Sequence, residues 1–577
     1  MRPSLLRFTF IQISAGIFLL WQSAIAQWST DPNVNNAICT SANFQYYPTI
    51  VSDGAGGAII AWQDARGSTS WDIYTQCINA AGVVQWTPNG VVICSVANAQ
   101  FSPMIVSDGA GGAIITWYDY RSGPTCDIYA QHINSAGTVQ WTSNGVGICI
   151  ADSIQQYPMI TSDGVGGAII TWEDYRNGSK NSDIYAQHIN ADSTVQWTSN
   201  GIAICTAANN QQRPLIVSDG SGGAIIVWTD SRRYVYNYDI YAQRINATGT
   251  VQWTSNGVAV CTTSVNQTPS SIVSDGAGGA IIAWVDYRNG FSNSDIYVQH
   301  IDAGGTVQWA SNGVAVCAAD SNQTYAETFS DGKGGAFIAW FDSRNSSKSY
   351  NIYAQRINAS GIVQWANNGV AICIADSNKQ ILVIARDGVG GAIIAWDDNR
   401  KGNYDIYAQR IDAAGTVQWT TNGVGVSTAS GNQNWPAIVD DGAGGEIITW
   451  MDGRGSNNHI YAQKVDRYGK LGITGVEDNS LLPKTTALMQ SYPNPFNPTT
   501  VINFQLSDHS YTNLKIFDII GREVTTLVSE TLPAGTYTRQ WNASGMSSGI
   551  YFYRLQVYPN VVGAGSFTET KKLVLLK

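Results

Sequence analysis

The chain has 577 residues, of which 13% are charged, and a formal net charge of −10. That length exceeds one ordinary core, so two or more folded units are expected. The negative charge and the lack of any Lys/Arg block argue against nucleic acid or an anionic membrane surface as partner, and 58 glycines with 11% aromatic residues point to a β-rich, turn-rich protein and not to disorder.

Residues 1–26 read as a secretory signal peptide. Arg2 and Arg7 form a basic start, residues 8–21 are largely apolar, and Ala24-Ile25-Ala26 offers small residues before a cut ahead of Gln27. No later apolar run is long enough to span a bilayer. The mature chain is therefore expected to be exported, with no transmembrane segment once the signal is removed.

Residues 27–473 carry one phrase eight times, Ser-Asp-Gly-x-Gly-Gly-Ala-Ile-Ile-x-Trp with small variations. Its Asp falls at Asp53, Asp108, Asp163, Asp219, Asp275, Asp331, Asp387 and Asp441, at intervals of 54 to 56 residues. A fixed period of this size marks a repeat architecture. In the second copy, residues 103–107, 113–119, 127–134 and 138–141 read as strands split by Asp-Gly-x-Gly-Gly and Ser-Ala-Gly turns. No helical period competes. Four strands repeated eight times predict an all-β, eight-bladed β-propeller of four-stranded blades. The Val-Gln-Trp segment recurs at Trp86, Trp141, Trp197, Trp253, Trp309, Trp365 and Trp419 but is missing from the eighth repeat, whereas the mature N-terminus begins Gln27-Trp28 and runs to Ile38-Cys39. Residues 27–39 are expected to complete the last blade and close the ring; an open solenoid is the alternative.

The Trp of each second strand (Trp62, Trp117, Trp172, Trp228, Trp284, Trp340, Trp396, Trp450) is expected to seal one blade against the next, the alternative being a ring of sugar-stacking tryptophans. Cys39, Cys94, Cys149, Cys205, Cys261, Cys317 and Cys373 hold one repeat position, with Ser427 in the eighth. Equivalent positions on neighbouring blades lie too far apart to bridge, so these are read as small buried hydrophobes. The pairing of Cys77 with Cys126, both off the pattern, stays open. The Trp-x-Asp-x-Arg triplet (Trp117, Asp119, Arg121 in the second copy) recurs in every blade, which favours structure over catalysis. The turn Asp supplies one carboxylate where calcium needs six to eight oxygens; it is read as a turn stabiliser. This turn loosely resembles the Asp-box of sialidase-type propellers, although Ser and Asp are adjacent here. A glycosidase needs two carboxylates about one bond, and the repeats hold only Glu173, Glu327 and Glu446; Glu327, on an inner strand, has no evident structural role. His132, His188 and His300 share a position on different blades, which argues against zinc. No nucleophile elbow, phosphate loop or metalloprotease motif is present. No catalytic residue, metal or cofactor is expected.

Propeller connectivity places the first-to-second and third-to-fourth turns on one face, and the second-to-third loops with the blade connections on the other. The first set is nearly constant and the second varies in length and aromatic content, as binding loops on a rigid scaffold do. Trp71, Tyr234, Tyr236, Tyr238, Phe291, Tyr350 and Tyr404 are the candidate ligand contacts on that face. Six residues after the repeat Cys or Ser stands Gln45, Gln100, Gln155, Gln211, Gln267, Gln323 or Gln433, with Lys379 in the odd blade. These are a candidate polar ring at the channel mouth, or else side chains that hydrogen-bond a backbone carbonyl between blades.

After a polar linker, 474–487, residues 488–577 contain short alternating strands split by Gly and Pro turns, enough for a small Ig-like β-sandwich. The run Pro493-Asn494-Pro495-Phe496-Asn497-Pro498, the turn Asp518-Ile519-Ile520-Gly521-Arg522, the strand Ser548-Gly549-Ile550-Tyr551-Phe552-Tyr553 and the basic terminus resemble the type A C-terminal sorting domain of the type IX secretion system. That resemblance implies Bacteroidota-like export through the periplasm and outer membrane, recognition by the type IX machinery, removal of the domain, and a cell-surface or extracellular address. The repeat region is similar to uncharacterised exported bacterial propellers. Three functions remain: a non-enzymatic binding or adhesion module for a glycan or protein, a carbohydrate-active hydrolase or lyase at the channel, and a display scaffold with no specific ligand.

Overall fold

A computed structural model of the chain describes residues 28–67, 70–178, 181–234, 237–345, 349–472, 485–507, 510–532, 535–559 and 566–576. The expected signal peptide, Tyr236 and most of the expected linker lie outside these residues. The chain divides into two compact units, residues 1–473 and 474–577. Both are all-β; no helix occurs among the described residues.

The first unit holds eight four-stranded antiparallel sheets, an arrangement consistent with a propeller. In the second repeat the strands are Gln100–Ser107, Ala113–Asp119, Asp127–Ile133 and Val146–Cys149. The turn after the inner strand is locked by one carboxylate: Asp108 Oδ1 accepts Ala110 N at 2.7 Å and Gly112 N at 2.8 Å. Gly112 is required by close approach, since a Cβ there would sit 2.3 Å from the Ile133 carbonyl oxygen.

The fourth strand differs from expectation. Val139 makes a single bridge to Ile133, and the ladder resumes only at Val146–Cys149. The Gln131 side chain takes over the backbone groups between: its Nε2 donates to Thr142 O at 2.8 Å and its Oε1 accepts Trp141 N at 3.1 Å. The Val-Gln-Trp segment thus needs no ladder of its own.

Two devices join one repeat to the next. The second-strand Trp is fully buried in every repeat, which rules out the sugar-stacking alternative. Ile114, Ile128 and Ile148 of the second repeat, for instance, pack on Ala168, Ile170 and Trp172 of the third. Polar groups then lock the seam. Trp117 Nε1 donates to Asp119 Oδ2 at 2.8 Å. Arg121 pairs with the same oxygen at 2.6 Å, lies 3.6 Å over the Tyr129 ring and reaches Cys94 Sγ of the preceding repeat at 3.2 Å. The Asp–Arg pair is therefore internal to a repeat, and the Cys side of the network crosses the seam. All nine cysteines, Cys77 and Cys126 included, are free and buried. Burial pushes the Cys94 thiol up to about 12, so it stays protonated and inert.

The N-terminal segment joins the eighth sheet. Asn36–Cys39 pairs with His459–Val465, Asn36 opposite Ala462, and Trp28 shares a core with Ile460, Trp62 and Ile78. Trp86 Nε1 donates to Ser135 O of the next repeat at 3.1 Å and Trp141 to Ala191 O at 2.8 Å. The same bond recurs through Trp197, Trp253, Trp309, Trp365 and Trp419. Trp28 supplies the eighth copy, donating to Ala80 O of the first repeat at 2.9 Å. Each inner strand lies against the next, and Gln433–Asp440 lies against Gln45–Ser52.

In the second unit a three-stranded sheet (Ala487–Leu488, Thr499–Leu506, Gly535–Asn542) shares one core with a four-stranded sheet (Glu523–Leu532, Ser510–Asp518, Gly549–Pro559, Phe567–Leu575). Tyr553 OH donates to Met489 O at 2.7 Å. Asn494 ties the Pro-rich run to the last strand through Lys572 O at 2.7 Å and Val574 N at 2.9 Å.

Candidate functional site

The predicted loop aromatics that the structure describes are spread over repeats 1, 4, 5, 6 and 7. Trp71 is half-buried against Tyr46, ring centroids 5.2 Å apart. Tyr350 lies 5.8 Å from Phe341, and the Tyr404 hydroxyl accepts Gln380 Nε2 at 2.7 Å. Tyr238 is half-buried, its main-chain N–H donating to Asn266 Oδ1 at 3.0 Å. Tyr234 and Phe291 are open, 56% and 74% exposed.

The glutamines do not line an open mouth. Gln45, Gln100, Gln155, Gln211, Gln267, Gln323 and Gln433 are all fully buried. Except at Gln155, whose buried amide has no partner, the amides turn back into their own connecting loops: Gln100 Nε2 donates to Asn98 O at 2.9 Å and Gln323 Nε2 to Ser321 O at 2.9 Å. Lys379 does the same with its ammonium, 2.8 Å from Ala375 O. The bond between repeats is made by the glutamine main chain instead, as where Gln100 N donates to Trp71 O at 2.8 Å.

Two residues further along each inner strand lies a site that the sequence analysis missed. Tyr47, Ser102, Tyr157, Arg213, Tyr325 and Trp435 all have positive φ, between 51° and 58°. Each sits where the register of the inner strand slips, as between Tyr46 and Thr49. Bulges with non-glycine residues in the left-handed region are strained, and such strain gathers at functional sites. Tyr47, Tyr157 and Trp435 are 45%, 53% and 41% exposed. Tyr47 meets Trp435 of the neighbouring repeat edge-on at 5.0 Å, and Tyr118 meets Tyr157 at 6.1 Å. Phe44 stacks on Tyr46 at 5.7 Å. An aromatic crescent thus runs over repeats 8, 1, 2 and 3, at the same end of the inner strands as the variable loops.

Side chains of adjoining repeats hold these bulges. Gln63 Oε1 accepts Ser102 N at 2.8 Å, and Glu173 Oε1 accepts Arg213 N at 2.7 Å. Asp397, at the same repeat position, accepts Gln380 N at 2.8 Å and Ile381 N at 3.0 Å of its own repeat, whose inner strand has no positive-φ residue. Burial raises the Asp397 carboxyl to about 6 and also raises Glu173.

Glu327 lies two residues beyond Tyr325 on the inner strand and is partly exposed. Desolvation raises its carboxyl to about 8, opposed by a hydrogen bond with the Ser271 side chain. The Tyr325 phenol is raised by burial and, to a lesser degree, by the Glu327 and Asp397 carboxylates. Glu446 lies elsewhere, paired with Asp440 and Val465 at the end of its strand next to the Asp-Gly turn. His132, His188 and His300 clamp turn aspartates, with Nε2 2.8, 2.9 and 2.8 Å from Asp108, Asp163 and Asp275. No cluster able to hold a metal occurs among the described residues.

A repeat domain with a separate sandwich-like tail is the plan of an exported modular protein, and comparison with known families bears on that tail. Residues 490–574 match the family described as "Secretion system C-terminal sorting domain", so the tail is a type IX sorting domain and directs export to the cell surface or extracellular space. No curated protein matches the chain. Among solved structures, an α-L-arabinanase from Penicillium chrysogenum, complexed with arabinobiose, is similar at 14% identity (TM-score 0.33; 55% of this chain, 94% of that one). An endo-arabinase from Bacteroides thetaiotaomicron also has 14% identity (TM-score 0.28; 56% and 94%), and the polysaccharide lyase Uly1 has 9% (TM-score 0.38; 68% and 93%). At TM-scores below 0.5 none of these activities transfers to this chain. No described helix is long and apolar enough to cross a membrane.

Proposed function

We propose that residues 28–472 form a closed eight-bladed propeller that serves, outside the cell, as a non-enzymatic binding module for a glycan. The cyclic series of eight Trp-to-next-repeat bonds, with Trp28 in the eighth place, supports closure. The observation that carries the binding reading is the set of exposed rings on strained bulges, Tyr47, Tyr157 and Trp435. Flat rings held open to water suit stacking on the apolar face of a sugar, and a strained backbone keeps them aimed without an ordering cost on binding. Of the loop aromatics, Trp71, Tyr234, Tyr238, Phe291, Tyr350 and Tyr404 are proposed as the outer rim of the same face; Tyr236 lies outside the described residues.

Glycan-array binding by the full chain, followed by titration, tests this. Trp435→Ala and Tyr47→Ala each weaken binding at least tenfold, while Phe291→Ala on the rim changes it little. Binding to a protein ligand alone, or glycan binding indifferent to both substitutions, defeats the reading.

A second reading, a carbohydrate-active hydrolase or lyase at the channel, draws on Glu327, a partly exposed inner-strand carboxyl two residues from Tyr325 that is raised to about 8. It requires turnover of a bound polysaccharide that Glu327→Gln abolishes without loss of binding.

A further inference from the structure

The four-stranded sheet of the sorting domain ends in a group of exposed apolar side chains. The hairpin joining Ser510–Asp518 to Glu523–Leu532 carries Ile519 and Ile520 at its tip, 68% and 71% exposed. The register brings two more to the same end of the sheet. Asp518 stands opposite Tyr551, so Ile550 lies one step beyond it; Ile550 pairs with Val574, close to Leu576. Ile550 and Leu576 are 39% and 55% exposed.

This tip is a built structure. Asp518 Oδ1 accepts Ile520 N at 3.1 Å and Arg522 N at 2.9 Å, and its Oδ2 accepts Arg522 Nε at 2.7 Å. Gly521, at φ 83°, donates its N–H to Asp518 O at 3.0 Å. The Asp518–Arg522 pair also cancels the charge at the tip. Ile519 and Ile520 lie outside the core formed by Leu514, Ile516, Tyr553, Leu555 and Leu573, so the domain gains no packing from them. Grouped apolar side chains held rigidly in water mark an interaction site, and pre-organised anchors bind with a small ordering cost.

We propose that Ile519, Ile520 and Ile550, flanked by Leu576, are the surface by which this domain docks into an apolar pocket of the type IX export machinery. The commitment to that partner rests on the match over residues 490–574, which includes all three isoleucines and assigns the domain to sorting. The neutral, apolar character of the tip calls for a pocket of the same chemistry and not for an acidic or basic groove.

The test uses the full chain with its own signal in a type IX-competent bacterium. The double variant Ile519→Ser/Ile520→Ser accumulates in the periplasm, with secreted protein reduced at least tenfold. The control Tyr511→Ser/Tyr558→Ser, a facing pair at the opposite end of the sheet, is secreted as wild type. Protease resistance of the periplasmic material establishes that the domain is folded. Should the double variant unfold, Ile550→Ser gives the same readout from a strand end. A photo-crosslinking residue at position 520 then identifies the contact, and capture of a machinery subunit is expected. Normal secretion of the isoleucine variants, equal loss with the tyrosine control, or crosslinking only to a second copy of the chain overturns the proposal.

Discussion

At the scale of single residues, Glu446 stands apart. Seven repeats place Ala at its position, as at Ala58 and Ala113. Glu446 is fully buried there, and both carboxyl oxygens are without a hydrogen-bond partner. Burial, with help from Asp440 and Asp441, holds its carboxyl well above the usual range. A buried orphan polar group costs about 1–3 kcal/mol, so Glu446→Ala is expected to stabilise the first unit by that order in denaturant titration. The pH dependence has a definite sign. A carboxyl whose folded-state pKa is raised contributes stability below its unfolded value of about 4.3 and loses it as pH rises toward the folded one. The advantage of Glu446→Ala over wild type therefore widens from pH 5 to pH 8; a constant gap would mean that Glu446 finds a partner in solution. The repeat pattern made the residues common to all copies legible, the buried Trp and the turn Asp above all. It hid Tyr47, Tyr157 and Trp435, because a position that varies between copies drops out of a consensus. Variation inside an otherwise constant strand was the signal available for them. The glutamines illustrate the opposite difficulty: their regular spacing suggested a ring, but spacing does not say which way a side chain turns, and these are buried, all but Gln155 bonded to carbonyls of their own loops.

At the scale of the element, the third-to-fourth connection carries the contact between repeats. In the second repeat Gly137, at φ 77°, packs on Trp86 of the first, and a Cβ there would come within 2.5 Å of the indole. The third repeat holds Ser193 at the corresponding place, with φ 72°. A non-glycine residue in the left-handed region costs about 1 kcal/mol, and a clash with a fixed ring costs more. Ser193→Gly is expected to stabilise the protein by about 1 kcal/mol, whereas Gly137→Ala destabilises it by about 2 kcal/mol or more. Chemical denaturation of the two variants measures both signs, and destabilisation by Ser193→Gly would refute the packing argument. Strand alternation and Gly turns located the first three strands of the second repeat, the first of them three residues short at its start. The fourth was misplaced because Gln131, from a neighbouring strand, satisfies the Trp141 amide and the Thr142 carbonyl, a substitution of side chain for ladder that no local pattern announces.

At the scale of the whole molecule, the repeats form a series whose two ends meet in one sheet. If the ring is closed as proposed, Trp28 is equivalent to Trp86, and replacing either by Ala costs the same, about 3–5 kcal/mol for a buried aromatic. In an open array Trp28→Ala would only fray a terminus. Thermal and denaturant unfolding of the two variants, side by side, decide between these, with equal losses expected. Removal of residues 28–39 would also uncover the strand His459–Val465, an unpaired edge prone to association. The eight-fold repeat and the odd N-terminal Trp made this arrangement readable in advance, and the same reading found the sorting tail; neither named a ligand, since the rings that face solvent belong to no repeated motif. The pairing of Asn36 with Ala462 has a consequence for biosynthesis. The opening strand leaves the ribosome first and waits, partnerless, until the eighth repeat has followed it. If the ring is closed as proposed, this joint spans nearly the whole array, carries the largest loop entropy and is expected to form last.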